Sequence, residues 1–598
     1  MSVNKSKEAV NIMSEPSVLA LPGDPEKQGS SNDSNPSIQT KRSGLVAASA
    51  KPLEEGTRSN NGSSSIPAAN EGKAESVTSD AESEDVAAIT ITKKQLYYAL
   101  AGLNAATFIS ALDATIMTTI YSQVASEFDS LGQAIWILNG YLLPTTATQA
   151  IAGRISDITG RVEAVCASII LFLVGSILCA VSHSMNMLIA SRVIQGIGGG
   201  GIQSLCLIMV SDIISERDRG KYIGLFAATW GIASAIGPLI GGGIVEHASW
   251  RIVFWINIPI CVATLVLIYF TIKLPTPPGT LKEKIERIDF LGTFSFLAGI
   301  IPVLLGLSWG GQQYAWTSAV VLACLIAGGV ILLAFIAVEW FWAKEPIIPV
   351  RLYRINNVVT ASFASIMLGG TMYGVMVIVP IWEIAVKHAS IIGSGLHLLP
   401  FLFGMVISAV LAGIYLNRVG RYLVLVRVGS VLVAVGTCLM LLYKPSSNMG
   451  QRIGFLFING FGAGLTMQVV LIAAQAAVKG KDMAVVSASA IFLRTLGGMI
   501  ACSIVASVAN SQMRTKAKEL IAQYPAYASA LLDSLKDQSA IYSDRIPGDL
   551  RSKLVQAWSD SYHVAIYALI PFSALFIVLC WAIKHKELNT QRKKTIRQ

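Results

Sequence analysis

Three charged residues stand inside stretches that otherwise carry almost no charge: Asp113 in ISALDATIM, Arg192 in IASRVIQGIG and Arg494 in IFLRTLGGM. An ionised side chain is costly in hydrocarbon, so such residues turn toward protein or water-filled space and mark ion or substrate paths. Asp113 falls about fifteen residues into its apolar run, near the middle of a bilayer. A carboxylate there ionises only when water or a basic partner reaches it, which is what a proton carrier needs. The alternative is a structural aspartate bonded to neighbouring helices. Arg192, about five residues into its run, either snorkels to the interface or finds a partner. Arg494 is deeply placed, and its alternative role is pairing with a carbonyl or an interhelical carboxylate for packing. Asn139, Tyr141, Gln149, Gln203, Gln468 and Gln475 also interrupt apolar runs. Polar groups in membrane helices face protein or water, so these are candidates to line a substrate cavity, although several will simply join helices. Glu339 and Glu383 lie close to the ends of their runs, where solvation costs little, and read as surface residues. No Ser/His/Asp set, metal-ligand cluster or cofactor motif appears, so neither enzyme chemistry, a metal nor a cofactor is expected. Residues 196–201 (GIGGGG) sit inside an apolar run without strand or lysine, and no GxxxxGK[ST] occurs. An ion gradient rather than nucleotide hydrolysis is the expected energy source.

The elements that must position these residues follow from hydropathy. The chain has 598 residues, 53% hydrophobic and 14% charged, with a mean hydropathy of +0.58. Soluble chains carry roughly a quarter charged residues. At ~35 residues per span plus loop, the region from Tyr98 to Ile583 holds about fourteen membrane-spanning helices. They run from 98–120 and 134–152, through 187–211, 222–245, 393–416 and 452–474, to 485–509 and 562–584. Basic residues collect in one alternate set of loops, from Arg154 and Arg161 through Arg217, Arg219 and Lys221 to Lys479 and Lys481. The other set holds little beyond Arg251, Lys387, Lys444 and Arg452. The first set is expected to face the cytosol, with both termini there. The formal charge of +10 thereby reports topology, and no nucleic-acid partner is expected. The eight cysteines all lie in apolar runs without CxxC spacing and read as small buried residues.

Residues 1–92 form an expected cytosolic tail, rich in Ser, Asn, Gly, Glu and Pro to about residue 88 and read as disordered. It lacks a signal-peptide pattern, and Ser79 and Ser83 sit among acids as possible phosphorylation sites. Residues 586–598 form a basic cytosolic tail. The loop 510–561 is expected outside or in a lumen, with an amphipathic stretch, 550–558, lying on the membrane surface or forming a soluble loop helix.

Two segments repeat. Gly153, Asp157, Gly160 and Arg161 follow the second span as G-x3-D-x2-G-R; Gly413, Asn417, Gly420 and Arg421 follow the tenth with the same spacing. Gln195-Gly196-Ile197-Gly198 in the fourth span is echoed by Asn459-Gly460-Phe461-Gly462 in the twelfth. Two matches in order imply two six-helix bundles, 93–272 and 357–585, with two extra helices inserted in 273–356. Parallel repeats around a midplane site describe a secondary transporter.

These motifs make the chain resemble the major facilitator superfamily, in particular its fourteen-span drug:proton antiporters of fungal type, over residues 95 to 585. The resemblance implies the fold: an all-α membrane protein of two six-helix bundles plus two inserted helices. The segment Gly153 to Arg161 is similar to the superfamily's cytosolic loop signature, whose aspartate and arginine latch the bundles in the outward-open state. Ile158 and Val162 stand where basic residues are usual. Arg192, within SRVIQG, is similar to the fourth-span signature whose arginine is implicated in proton transfer. Gly231 to Gly242, with Gly237, Pro238 and Gly241, resembles the fifth-span antiporter signature associated with exporters; proline also removes a backbone donor and bends a helix. Leu112 to Ile116, around Asp113, resembles the first-span signature without its usual Asn-containing continuation. Trp250 to Pro259 and Ile491 to Gly498 resemble the sixth-span opening and the penultimate-span signature.

The implied function is export of a hydrophobic or amphiphilic small molecule in exchange for protons, with Asp113, Arg192 and Arg494 as coupling residues. The alternative is a vacuolar transporter of basic amino acids, for which extra midplane acids in the second bundle are wanting. A non-transporting nutrient sensor would carry a far longer cytosolic tail. A monomer in the plasma membrane is expected, with the vacuolar membrane as the alternative.

Overall fold

The computed structural model describes residues 92–587 except Leu131, Gly132, Ser215, Pro275, Gln312, Lys344, Lys479 and Asp537. The expectations for tail residues 1–91, Ser79 and Ser83 included, and for 588–598 lie outside the described residues. Helices α1 (Lys93–Glu127), α2 (Ile135–Thr159), α3 (Arg161–Ala180), α4 (Met185–Ile213), α5 (Glu216–His247) and α6 (Arg251–Thr271) come first. A short α7 (Leu281–Glu286) precedes α8 (Phe290–Trp309) and α9 (Ala319–Phe341). Then follow α10 (Asn356–Lys387), short α11 (Ile391–Leu396), α12 (Leu399–Val419), α13 (Leu423–Leu439), α14 (Met449–Gln475), α15 (Met483–Gln523), short α16 (Ala528–Lys536) and α17 (Gly548–Ala582). Among the described residues there is no strand, only an isolated bridge between Gly310 and Tyr314.

Thirteen of these helices are long and apolar enough to cross a membrane. Helix α2 is long enough but more polar; it makes the fourteenth because its polar groups meet neighbours inside the protein. Thr145 Oγ1 donates to the Gly196 carbonyl at 3.0 Å and Gln149 Nε2 to Gln203 Oε1 at 2.9 Å. Satisfying such groups internally is the condition for placing them in a bilayer.

Helices α1 to α6 pack on one another, as do α10, α12 to α15 and α17, while α8 and α9 pack on each other and α8 touches α2 and α15. The sequence repeat reappears as repeated packing. Gly196 and Gly200 of α4 bring that helix onto the backbone carbonyls of Tyr141 and Thr145 of α2; Gly460 and Gly464 of α14 do the same against Phe401 and Met405 of α12. Likewise Gly175 lies on the backbone of Gln195, and Gly436 on that of Asn459. Backbones approach this closely only where no Cβ intervenes. Gly200→Val is therefore expected to abolish a monodisperse peak in detergent size exclusion, whereas Gly243→Ala, with open space around it, leaves the peak unchanged.

Three expectations need correction. The stretch 550–558 neither lies on a membrane surface nor forms a separate loop helix. It is the first part of α17, and Leu550, Leu554 and Trp558 are buried against Leu520 of the extended α15 and against Leu531 and Ile541. Glu339 and Glu383 are not surface residues: they are 6% and 0% exposed. Of the cysteines, Cys179, Cys206, Cys261 and Cys580 are buried, but Cys438 is exposed and Cys166, Cys324 and Cys502 are intermediate.

Candidate functional site

Asp113 and Arg192 meet inside the first bundle. Arg192 Nη1 lies 2.5 Å from Asp113 Oδ2, and both side chains are 0% exposed. Asp113 Oδ1 accepts from Gln195 Nε2 and from Asn257 Nδ2, each at 2.9 Å. Ser176 Oγ accepts from the same two amides at 2.8 and 3.2 Å. Arg192 also donates to Gln195 Oε1 (2.7 Å) and the Ile137 carbonyl (3.2 Å), and its guanidinium lies 4.4 Å from the Tyr141 ring centre. Residues from α1, α3, α4 and α6 thus build one polar knot in an apolar bundle, and every contact to Asp113 uses the carboxylate as an acceptor. Asp113 is thus bonded to neighbouring helices, and of the two readings of Arg192 the structure has it find a partner rather than snorkel to the interface. Tyr141 belongs to this core too, its hydroxyl 2.9 Å from Ser110 Oγ, and is 1% exposed rather than cavity-lining.

At the end carrying the basic loops, Arg161 binds Asp157 (2.5 Å) and Asp212 (2.7 Å). These ion pairs stay within the first bundle. The contact to the second bundle falls to Gly153, where an added Cβ would come within 2.8 Å of Ala488 and 2.9 Å of the Ala484 carbonyl on α15. Gly160 turns the chain between α2 and α3 at φ +119, and Gly420 does so after α12 at φ +74, conformations that favour glycine.

A second cross-bundle contact at the same end was not legible in the sequence. Arg219, fully buried, donates from Nη1 to Gln475 Oε1 at 2.8 Å and from Nη2 to the Ser211 carbonyl at 2.7 Å. Gln475 Nε2 in turn reaches Ser211 Oγ (3.0 Å) and Ser487 Oγ (2.7 Å). Gln475 is therefore part of a closure between α4–α5 and α14–α15, not of a cavity wall. Arg219 was counted only as a loop cation; its depth shows once α5 is seen to begin at Glu216.

Deeper between the bundles, Thr495 Oγ1 donates to Gln149 Oε1 at 3.0 Å, which joins α15 to α2 and, through Gln203, to α4. Trp230 of α5 packs against core residues of both bundles. The neighbouring Arg494 lies beside Tyr373, is partly exposed, and has no hydrogen-bond or ion-pair partner among the described residues. Gln468 is buried, and its Oε1 has no hydrogen-bond partner among the described residues. Asn139 instead binds Ser308 of α8 at 2.7 Å, at the edge of an apolar groove of about 690 Å³ between α2–α4 and α8.

The glycines of α5 serve two partners at once. Gly237 and Gly241 face Thr115 and Ile116 of α1, while Gly231 lies near Val406 of α12. Pro238 sits mid-helix against Gly395 of α11, and Gly242 is half-buried.

Two similarly packed sets of helices, closed on each other at one end around polar groups in mid-membrane, define a multi-pass membrane transporter. Residues 103–502 match the Major Facilitator Superfamily, and the chain belongs to that family. It is a small-molecule transporter and not an enzyme. The chain is 33% identical over 499 residues to the MFS-type efflux pump LUC4 of Fusarium sp., covering 81% of this chain and 87% of that protein. It is 33% identical over 505 residues to the efflux pump dotC of Dothistroma septosporum (83% and 85% covered), and 30% identical over 496 residues to the aspyridones efflux protein of Neocamarosporium betae (82% and 87%). Among solved structures, the human organic anion transporter MFSD10 shares the fold, with a TM-score of 0.52 at 14% identity, covering 82% of this chain and 99% of that one.

Proposed function

We propose that the chain exports hydrophobic or amphiphilic small molecules, a drug, toxin or secondary metabolite, in exchange for protons. The observation that carries this reading is the closure of one end by Arg219, Gln475, Ser211 and Ser487, which belong to different bundles. With the basic loops in the cytosol, this closure shuts the cytosolic side, one of the gates an alternating-access cycle requires. The efflux pumps to which the chain is similar along most of its length support the outward direction of transport. Between the bundles Arg494 alone is a charge without a partner among the described residues, so the space suits a largely apolar cargo. Asp113 with Arg192 is the proton-responsive pair, Arg494 a second coupling charge, Gly153 to Arg161 the latch, and α5 the helix whose glycines let the bundles rock. The transporter acts as a monomer in the plasma membrane.

The reading is tested in sealed vesicles with an imposed pH gradient and a lipophilic fluorescent dye. Wild type should move dye against its gradient only while the pH gradient lasts, and Asp113→Asn should not. Gradient-driven transport that survives intact in the variant takes Asp113 out of coupling; dye movement indifferent to pH refutes exchange altogether. Vacuolar transport of basic amino acids is disfavoured, because the buried acids Asp113, Glu383 and Asp482 are each paired with an arginine.

A further inference from the structure

The outer end of the second bundle holds a buried charge cluster that the mechanism above does not use. Glu383, one turn before the end of α10, is 0% exposed, and its Oε2 accepts a charge-assisted hydrogen bond from Arg452 Nη1 at the start of α14. His397, between α11 and α12, places Nδ1 3.0 Å from the same oxygen, close enough for an ion pair but not aligned for a hydrogen bond. Lys387, a turn further along α10, is turned to the carbonyls of Pro445 (2.7 Å) and Ser447 (2.8 Å). On the inner side Tyr443 and Tyr562 stack with ring centres 5.7 Å apart, and Trp382 lies 5.1 Å from Tyr443. Arg452, His397, Lys387, Tyr443 and Tyr562 are thus the titratable and charged groups that face the carboxylate.

Two features set this cluster apart from the Asp113 knot. Glu383 Oε1 is buried without a hydrogen-bond partner among the described residues, whereas both oxygens of Asp113 are taken. A buried carboxylate oxygen left unpaired in low dielectric is costly, and protonation relieves that cost. The cluster also opens on a cavity of about 390 Å³ whose wall includes Glu383, His397 and Arg452, with Phe403 and Leu456 as apolar sides. The cavity reaches Leu396 and Met449, both exposed, at the outer ends of α11 and α14. His397, its side chain 25% exposed, stands at the edge of this cavity, and imidazole is the side chain suited to exchanging protons near neutral pH.

We propose that Glu383 is a proton-binding site loaded from the outer face through His397. A proton from outer water gives the imidazolium; its Nδ1–H bond breaks as an O–H bond forms on Glu383, leaving a neutral imidazole and a neutral carboxyl. The ion pair that ties the outer ends of α10 and α14 is then gone. Gly395, two residues before His397, faces Pro238 (an added Cβ would sit 3.9 Å from its ring), so the change occurs next to the glycine-rich stretch of α5. The effect on transport rests on the proton-exchange reading; the proton site itself does not, and is tested without substrate.

Infrared spectra of the full-length protein in nanodiscs, recorded between about pH 5 and 8, follow the C=O stretch of protonated carboxyls. The band should grow in wild type as pH falls and be missing in Glu383→Gln. In His397→Gln it should persist but grow over a different pH range. Should Glu383→Gln fail to fold with Arg452 left unpaired, Glu383→Gln/Arg452→Gln removes both charges and serves in its place. A titrating band identical in wild type and variant overturns the proposal and leaves a fixed ion pair. In dye-loaded vesicles an acidic outer pH should accelerate efflux by wild type and not by the variant; equal acceleration overturns the role in coupling. Wild type that moves no dye refutes export while the spectra still decide the proton site.

Discussion

Asp113→Ala is expected to lower the stability of the detergent-solubilised protein by about 3–5 kcal/mol, the range for breaking a buried ion pair from one side. The cost comes from what remains. Arg192, 0% exposed, keeps only Gln195 Oε1 and the Ile137 carbonyl as hydrogen-bond acceptors, and the amides of Gln195 and Asn257 lose one of their two shared acceptors, retaining Ser176 Oγ. Asp113→Asn keeps a carbonyl for those amides and should cost less, although Arg192 still lacks its counter-charge. Asp113→Asn/Arg192→Gln removes both charges and should recover most of the thermal stability, since a buried pair replaced whole is often close to neutral. The double variant then separates two roles. If the pair only holds four helices together, pH-driven dye export returns with stability; if it carries the proton step, stability returns and coupling does not. Additive single-variant losses in thermal unfolding would show that the two side chains do not act as a unit.

What the sequence disclosed and what it concealed divide along physical lines. Apolar runs disclosed the helices because a bilayer demands about twenty apolar residues per crossing. The glycine repeats disclosed the bundles because a glycine under a neighbour's carbonyl is a local requirement that a second copy repeats, as Gly200 and Gly464 do. Asp113, Arg192 and Gln195 were legible as residues but not as partners: the ion pair spans 79 positions, a distance that periodicity does not bridge. Glu383 was misjudged because depth was measured from the end of an apolar run. Its shielding comes instead from Arg452, Tyr443 and Tyr562 on other elements, and from the extension of α15 and α17 beyond the span. The same extension explains Leu550, Leu554 and Trp558, whose one-sided apolar pattern says that a face is covered without saying by what.

Gly153→Val is expected to disable the closed end while leaving the bundles folded. The added Cβ alone would lie 2.8 Å from the Ala488 Cβ and 2.9 Å from the Ala484 carbonyl, and two further methyl groups add bulk at the same contact. Because Ala484 and Ala488 belong to the other bundle, the clash exists only while the bundles are shut at this end. Opening relieves it, so the strain acts as differential stability between two states rather than as global destabilisation. Overpacking of this kind costs about 1–3 kcal/mol, which shifts a two-state equilibrium by about 5- to 150-fold. Labelling of a cysteine placed at Ile491, which is 3% exposed and packs into the core of the first bundle, should rise accordingly in inside-out vesicles of a cysteine-free background, and gradient-driven dye export should fall with it. Gln475→Ala should raise labelling in the same direction but less: it removes one bridge to Arg219 without adding bulk, and the Ser211 carbonyl still holds the guanidinium. Unchanged labelling in Gly153→Val would mean that the bundles do not part at the α2–α15 contact.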